Sequence, residues 1–441
     1  MNAPTRVGRT VAEAYADYAL GLKKSDIPAE ILGKARHCLV DALGCALFGR
    51  TLPWSRIVLA EAVETGSGGP CRIPGEDGIT LQPPQAALVL GAFCHAFELD
   101  SLRKPGVGVH PGATVALPAF AVAQMTGAND DELLTAIVAG SEVMFRIGMA
   151  TLHSPEHAGF HAPGLTGPFG AAVAAGRLMG LSADQLANAL GIAGSLAGGL
   201  LAFAPSGQGG MIKRLHLGRA AEAGVTAARL AARGFEAPHA VIEGRFGLLD
   251  AYCSKSDPDL LLDGLGTQFA LKALCLKRFA CHITAHAPTE ALRDLMAEKG
   301  FGGDDIAAIA VRGSPKLVSH HSDQAPADIM LAQYSTPFVV ALAAYRDPEV
   351  PSVFTQDALA DARIRDLATR VQVAERAGSA AKGWGVEMEI TLKDGTRFEL
   401  VKETFSGTPD LPFGDDDLRR KFRKLSDGHP EGEVLLQRFL G

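Results

Sequence analysis

Through residues 1–265 apolar positions recur at helical spacing. Ser25-Asp26-Ile27-Pro28 predicts a helix start, and KARHCLVDALGCALFG carries that helix onward. Asn129 with Glu132 and Ser182 with Gln185 have the capping-box pattern just ahead of apolar runs. In that pattern two side chains three residues apart satisfy each other's free backbone N–H groups. The segments LLTAIVAGSEVMFRIGMA and LANALGIAGSLAGGLLAF are apolar on most faces, which predicts helices buried on most faces. Their Ala and Gly residues allow close helix approach. The one β signal in this part is a short hairpin near CRIPGEDGITLQP.

The pattern changes after Gly266. DIAAIAVRGS and TRVQVAER read as short strands, and VEMEITLKDGTRFELV alternates at period two around Asp394-Gly395, a type I′ hairpin signal. Helical stretches, PTEALRDLMAEKG and IMLAQYSTPFVVALAAYR, lie between them. Past residue 408 the chain reads as helix again, in DDDLRRKFRKL and GEVLLQRFL. The expected fold is mainly α. A large all-helical domain is formed by both chain ends, residues 1–265 and 408–441, and an α+β domain is inserted at 266–407.

Composition narrows the class. A chain of 441 residues exceeds what one core usually spans. Charged residues at 21% and hydrophobic ones at 47% fit a well-buried protein. A net charge of -7 argues against a nucleic-acid partner, while a local basic pocket can still take an anion. No uninterrupted apolar stretch looks long enough to cross a bilayer, so no membrane partner is expected. The first twenty residues lack a signal-peptide core, and seven scattered cysteines suggest free thiols, which together point to a cytoplasmic protein.

Four polar clusters interrupt this apolar chain. In the first, HAFELDSLRKPGVGVHPG places His95, Glu98, Asp100, Arg103, Lys104 and His110 ahead of a long apolar run. Acids, bases and cations in one loop suit proton transfer and anion binding. A capped polar surface loop is the alternative. The second cluster holds His153, His157 and His161, whose spacing would suit a metal on one helical face. Pro155 and the Gly and Pro residues around His161 argue against that helix. His161 is better placed on a loop before a helix beginning near Gly167, whose free N–H groups would hold a carboxylate.

The third cluster, Gly207 to Gly218, is a Gly-rich turn followed by Lys213, Arg214 and His216. Lys213 suits anion binding or proton transfer, and the Walker pattern is absent. Ser206 with Lys213 raises a Ser–Lys hydrolase, and a solvated basic helix start is the plain alternative. The fourth, KRFACHITAH, runs from Lys277 to His286. Cys275, Cys281, His282 and His286 are zinc-type residues, but their spacing matches no common zinc motif. His286 is either a general acid or base or a core histidine. His320-His321 and Tyr334 to Phe338 carry weaker signals.

In order and spacing, HAFELD with HPGA, GFH before GPFGAA, KRLHLGRAAEAG and KRFACHITAH resemble the MmgE/PrpD family over nearly the whole chain. The resemblance implies an all-helical domain with an α+β lid, a homodimer, and no metal or organic cofactor. It implies a small di- or tricarboxylate substrate and proton removal next to a carboxylate. Members dehydrate 2-methylcitrate, decarboxylate cis-aconitate or epimerise iminodisuccinate. By this resemblance Asp100, His110, His161, Lys213 and His286 are the catalytic residues; Glu98, Arg103 and Lys277 are expected, from their charges beside these motifs, to bind substrate.

The chain departs from the family pattern where it reads Glu98-Leu99-Asp100-Ser101-Leu102 in place of Asp-Phe-Asp-Asp-Thr. Phe338 stands near the position of a tyrosine in decarboxylase-type members. Both departures imply a more apolar pocket or a different substrate. A dehydratase-like lyase is the leading expectation, with a decarboxylase or epimerase as alternatives. Outside the family's chemistry the rivals are the Ser–Lys hydrolase and a catalytically silent dimeric binding protein.

Overall fold

The computed structural model describes residues 8–206, 210–378 and 383–441. The side chains of Pro205 and Ser206, and residues Gly207 to Gly209 of the Gly-rich turn, lie outside the described set. The fold is mainly α. It divides into two compact units: the first holds the chain up to Ala96, Asp100–Cys275 and Asp415–Gly441, the second Phe97–Leu99 and Leu276–Gly414.

These boundaries differ from the expected ones, for local reasons. Residues 266–275 stay with the first unit because strand β4 (Leu274–Cys275) pairs with β3 (Leu102–Arg103). The Ala270 N–H also donates to the Glu142 carboxylate at 2.6 Å. Residues 408–414 stay with the second unit because Thr408 bridges Leu411 and the Leu276 N–H donates to the Gly407 carbonyl.

In the first unit the expected capping boxes at Asn129–Glu132 and Ser182–Gln185 form and start the helices Asp130–Ala150 and Ala183–Ser195. The expected early helix spans Ala29–Gly49. A small antiparallel pair, β1 (Ser67–Arg72) and β2 (Thr80–Leu81), supplies the expected hairpin. Helix Asp130–Ala150 corrects the expectation about membrane-length segments. By length and composition it could cross a bilayer, yet 94% of its apolar window is buried inside the protein. At its centre Glu142 and Arg146 form a buried pair at 2.6 Å, so it is a core helix.

The run LANALGIAGSLAGGLLAF does not stay helical to its end. Its helix stops at Ser195, because Gly199 adopts φ +135° and the chain turns to pair with the His161 loop. The His161 N–H donates to the Gly199 carbonyl, and Phe160 bridges Leu200. The helix after His161 starts at Ala162, earlier than Gly167, with Pro163 in its first turn, where no N–H partner is needed.

The second unit is built on a four-stranded sheet in the order β6-β5-β7-β8. Strand β5 (Ile306–Gly313) lies parallel to β6 (Val371–Glu375) and antiparallel to β7 (Val386–Leu392), and β7 pairs antiparallel with β8 (Arg397–Lys402). Val386, Met388 and Ile390 turn inward at every second position, as the alternation predicts. The Asp394-Gly395 connection is a hairpin, but not of type I′. Only Gly395 has positive φ, and the Gly395 N–H closes a turn onto Leu392, giving a three-residue loop. The expected long helix of IMLAQYSTPFVVALAAYR is two, Ile329–Tyr334 and Thr336–Tyr345. Ser335 caps the second with Pro337 in its first turn, which breaks the run.

Candidate functional site

The first unit gathers its polar clusters around one buried carboxylate. Helix Pro83–Cys94 ends in a tight turn through His95, and the chain returns two residues after Glu98 to place Asp100. Asp100 is fully buried. Its Oδ1 lies 2.9 Å from His95 Nδ1, and its Oδ2 lies 2.9 Å from His110 Nδ1. Burial alone would raise the Asp100 carboxyl, but the two imidazoles outweigh it and hold the group well below the usual carboxylate range. An ionised carboxylate only accepts, so both Nδ1 atoms carry hydrogen. In its neutral form each imidazole then presents a bare Nε2.

The two histidines differ in access. His110 is 15% exposed at its side chain, whereas His95 is sealed. Burial holds His95 well below the usual histidine range, against the pull of Asp100. Its Nε2 has no hydrogen-bond partner among the described residues. An unsatisfied buried acceptor of this kind typically costs about 1–3 kcal/mol.

The loop around His110 is held from behind. Ser101 Oγ accepts the Gly112 N–H at 3.0 Å, at the start of a π-helical turn over Gly112–Ala116. A Cβ at position 112 would lie 2.9 Å from that Oγ and 3.1 Å from the Ala42 methyl, so the approach requires glycine. π-turns of this type recur at functional sites.

His161 reaches the same region from the start of helix Ala162–Leu178. Its ring centroid lies 6.3 Å from His95, 5.5 Å from Phe203 and 5.2 Å from His216. His161 Nδ1 and His216 Nδ1 are 3.0 Å apart, so one proton is shared between them. Burial, then His216, push His161 down to about 3, which leaves it neutral near pH 7. Burial and Lys213 lower His216 as well.

Lys213, Arg214 and His216 lie in the first two turns of helix Met211–Ala231. Lys213 and Arg214 are 5% and 4% exposed. Cations buried at the positive end of a helix oppose its dipole, so local stability does not account for them. Arg214 Nη1 donates to the His95 carbonyl at 3.4 Å. Arg103 is half-buried in β3 and donates to the Pro105 carbonyl at 2.9 Å and to Met149 Sδ at 3.1 Å.

His153 and His157 do not join the site. His153 takes φ +59° and pairs with Glu156, and His157 is exposed at the end of a four-residue helix. The common helical face that a metal reading of these histidines needs is therefore absent. Among the described residues, one group of three His, Cys, Asp or Glu residues has converging ligand-type atoms: His95, Asp100 and His110. Its carboxylate oxygens already accept N–H bonds from both imidazoles, so its chemistry is that of hydrogen-bonded acid–base dyads.

The second unit holds Glu98, Lys277 and His286. Glu98 adopts φ +58°, a strained position for a side chain of its size. Its carboxylate accepts from the buried Lys277 Nζ at 2.9 Å and from the hydroxyl of the half-buried Tyr334 at 2.9 Å. Gln333 Nε2 pins this segment by donating to the Phe97 and Ala280 carbonyls, each at 2.9 Å. His286 is wholly buried between the Phe279 and Phe405 rings. Its Nε2 accepts the Phe279 N–H at 3.3 Å, and its Nδ1 faces Cys281 Sγ at 3.6 Å. That is the setting of an interior imidazole with both nitrogens engaged. Phe338 is also buried, in the first turn of helix Thr336–Tyr345.

The sequence pointed to Asp100, His110, His161 and Lys213, and the first unit positions them together with His95 and His216. The spacing of three between Lys213 and His216, which puts both on one helical face, was the available signal for His216.

Residues 13–261 match the family model described as MmgE/PrpD N-terminal domain, and residues 279–435 match the MmgE/PrpD C-terminal domain. The chain is 28% identical to a cis-aconitate decarboxylase of Aspergillus terreus, over 94% of this chain and 89% of that protein. It is 27% identical to the cis-aconitate decarboxylase of Homo sapiens, over 94% of this chain and 87% of that protein. A cis-aconitate decarboxylase-like protein of Aspergillus oryzae is 28% identical over 98% of this chain and 93% of its own length.

Proposed function

The chain belongs to the MmgE/PrpD family, and from that premise we propose a cofactor-independent lyase that acts on a small di- or tricarboxylate. The observation that carries this reading is the Asp100–His110 dyad, with His110 as the partly accessible imidazole. Asp100 orients His110 and stabilises the imidazolium that forms when Nε2 takes a proton, as a buried carboxylate does for a catalytic histidine elsewhere. Lys213 and Arg103 supply fixed positive charge for substrate carboxylates and for an enolate-like intermediate. His161, neutral near pH 7, hydrogen-bonds the substrate or passes a proton through His216.

Decarboxylation of cis-aconitate is the favoured reaction, because the full-length relatives described above bear that name. In that step the bond from carbon to a carboxylate breaks and carbon dioxide leaves. The electron pair stays on carbon, and protonated His110 delivers the proton that forms the new C–H bond. Dehydration is the second reading, favoured by the same dyad. There the bare His110 Nε2 removes the proton beside a carboxylate, the C–O bond breaks as the double bond forms, and the hydroxyl departs as water with the proton that the His110 imidazolium returns.

The test is incubation of the purified chain with cis-aconitate and with 2-methylcitrate in deuterated buffer, followed by proton NMR and by carbon dioxide release. Carbon dioxide with a five-carbon unsaturated dicarboxylate is the expected result. An alkene from 2-methylcitrate alone would establish the dehydratase instead, and no change in either would remove the lyase reading.

The same reading carries a homodimer and a cytoplasmic enzyme. Ile57, Met211 and Ile212 are 63%, 54% and 44% exposed beside Trp54 and Leu215, an apolar patch suited to a second copy. All seven cysteines are free thiols. Light scattering reporting only the 46 kDa species would exclude the dimer.

A further inference from the structure

We propose that His95 is a positioning residue. Its Nδ1–H keeps the buried Asp100 carboxylate ionised and aimed at His110. Asp100 has no access to water, and each oxygen accepts one imidazole N–H at 2.9 Å. The groups that bear on this carboxylate are His95, His110, Asp41, Lys421, Cys38 and Cys94. Asp41 and Lys421 form their own buried pair, and Cys38 hydrogen-bonds to Ser101. Facing His95 are Asp100, His110 and Lys213, and Arg214 holds its carbonyl.

The charged partner of its Nδ1 separates this role from packing. His95 and His321 both leave a buried Nε2 without a hydrogen-bond partner among the described residues, but the Nδ1 of His321 meets a backbone carbonyl, whereas that of His95 meets a fully buried carboxylate. The His95 Nε2 has no partner among the described residues, so the Nδ1 contact with Asp100 is the polar interaction that this imidazole supplies.

The consequence for His110 follows from proton counting. Without the His95 N–H, Asp100 Oδ1 would be a bare charge in an apolar interior, and burial would favour its protonated form. A protonated Asp100 would donate to His110 Nδ1. The His110 proton would then sit on Nε2, and the base would be lost. This inference rests on the proton-transfer reading of His110 only for its kinetic consequence; the state of Asp100 is measurable without substrate.

The experiment uses the full chain labelled with 13C at the Asp carboxyl carbon, with the Asp100 resonance assigned by Asp100→Asn. In the wild type this resonance should keep its ionised position from about pH 5 to about pH 8. In His95→Leu it should titrate inside that range, an upward move of roughly two pH units or more. His95→Asn places an amide N–H near the Nδ1 position and should restore the ionised state, whereas His95→Gln, one methylene longer, should not.

An Asp100 resonance that stays ionised in His95→Leu would overturn the proposal. If the Leu variant does not fold, indistinguishable Asn and Gln variants would overturn it. With cis-aconitate as the probe, the acid limb of the rate profile should move up in the Leu and Gln variants, with kcat falling and KM holding. Absence of turnover by the wild type would strike the proposed reaction and leave the carboxyl titration to decide the role of His95.

Discussion

Two buried carboxylates two residues apart in sequence, Glu98 and Asp100, have opposite partners. Asp100 is bound by two imidazoles in the first unit. Glu98 is bound by an ammonium and a phenol in the second. An imidazole can carry a proton to or from a bound molecule, and in the Asp100 cluster His110 is the one with access to do so. The Glu98 cluster is instead a direct ion pair with a phenol hydrogen bond beside it. The first arrangement suits proton transfer, and the second suits holding a strained backbone in place. The comparison therefore separates rate from stability.

The sharpest way to break it is Asp100→Asn. The amide keeps the shape but presents an N–H to one of the histidines, which forces the wrong tautomer. The equivalent change in a serine-protease triad lowers kcat about ten-thousand-fold. A loss of about a thousandfold or more in kcat is expected here, with a melting temperature close to wild type. A loss below tenfold would show that Asp100 does not act through His110.

The reverse pattern is expected for Lys277→Met. Removing one partner of a buried ion pair leaves an uncompensated charge and typically destabilises by about 3–5 kcal/mol. Urea unfolding of the second unit should shift accordingly. The double variant Glu98→Gln with Lys277→Met should recover much of that loss, because the stranded charge is gone. Failure of the double variant to recover would mean that Lys277 matters for more than its pairing with Glu98.

Lys213→Ala returns the test to the first unit. Loss of one preorganised electrostatic group typically lowers the rate about 100- to 1000-fold. Turnover of cis-aconitate should fall by that order while the melting curve stays in place, since a cation at the positive end of a helix does not stabilise it. Near-normal turnover would take Lys213 out of the mechanism, and a collapsed melting curve would make it structural.

Much of this contrast was legible in the sequence, and what was hidden has physical causes. The capping boxes at Asn129 and Ser182 are local patterns, satisfied within four residues, and they form as expected. Strands β7 and β8 follow from alternation for the same reason. Glu98 and Asp100 read as one cluster because they share a motif. The positive φ at Glu98 that separates their partners carries no glycine signal. The turn at Gly199 that follows the helix end at Ser195 has a distant partner, the His161 N–H, that periodicity cannot reveal. His286 and His95 are both histidines in polar motifs. Only the surroundings show that one has both nitrogens engaged and the other leaves Nε2 bare.

The smallest effect at neutral pH is one the two units share. Burial is the first cause that pushes both His161 and His321 down to about 3, against about 6.5 in an unfolded chain. A histidine with a depressed folded value binds its proton more readily when unfolded. Its neutral form contributes stability that is fully present above about pH 6.5 and is lost as pH falls toward 3. Melting temperature should therefore decline between those limits, and His161→Gln and His321→Gln should each flatten the decline. Glutamine does not titrate, so each variant loses one proton-uptake site on unfolding and little else at pH 7. Activity tells them apart: His161→Gln should slow turnover, and His321→Gln, whose Nδ1 is held by the Tyr334 carbonyl at 3.0 Å, should leave it near wild type. An unflattened acid limb in the His161 variant would mean that this imidazole is already protonated in the folded state, and the neutral His161 of the proposed reaction would have to be abandoned.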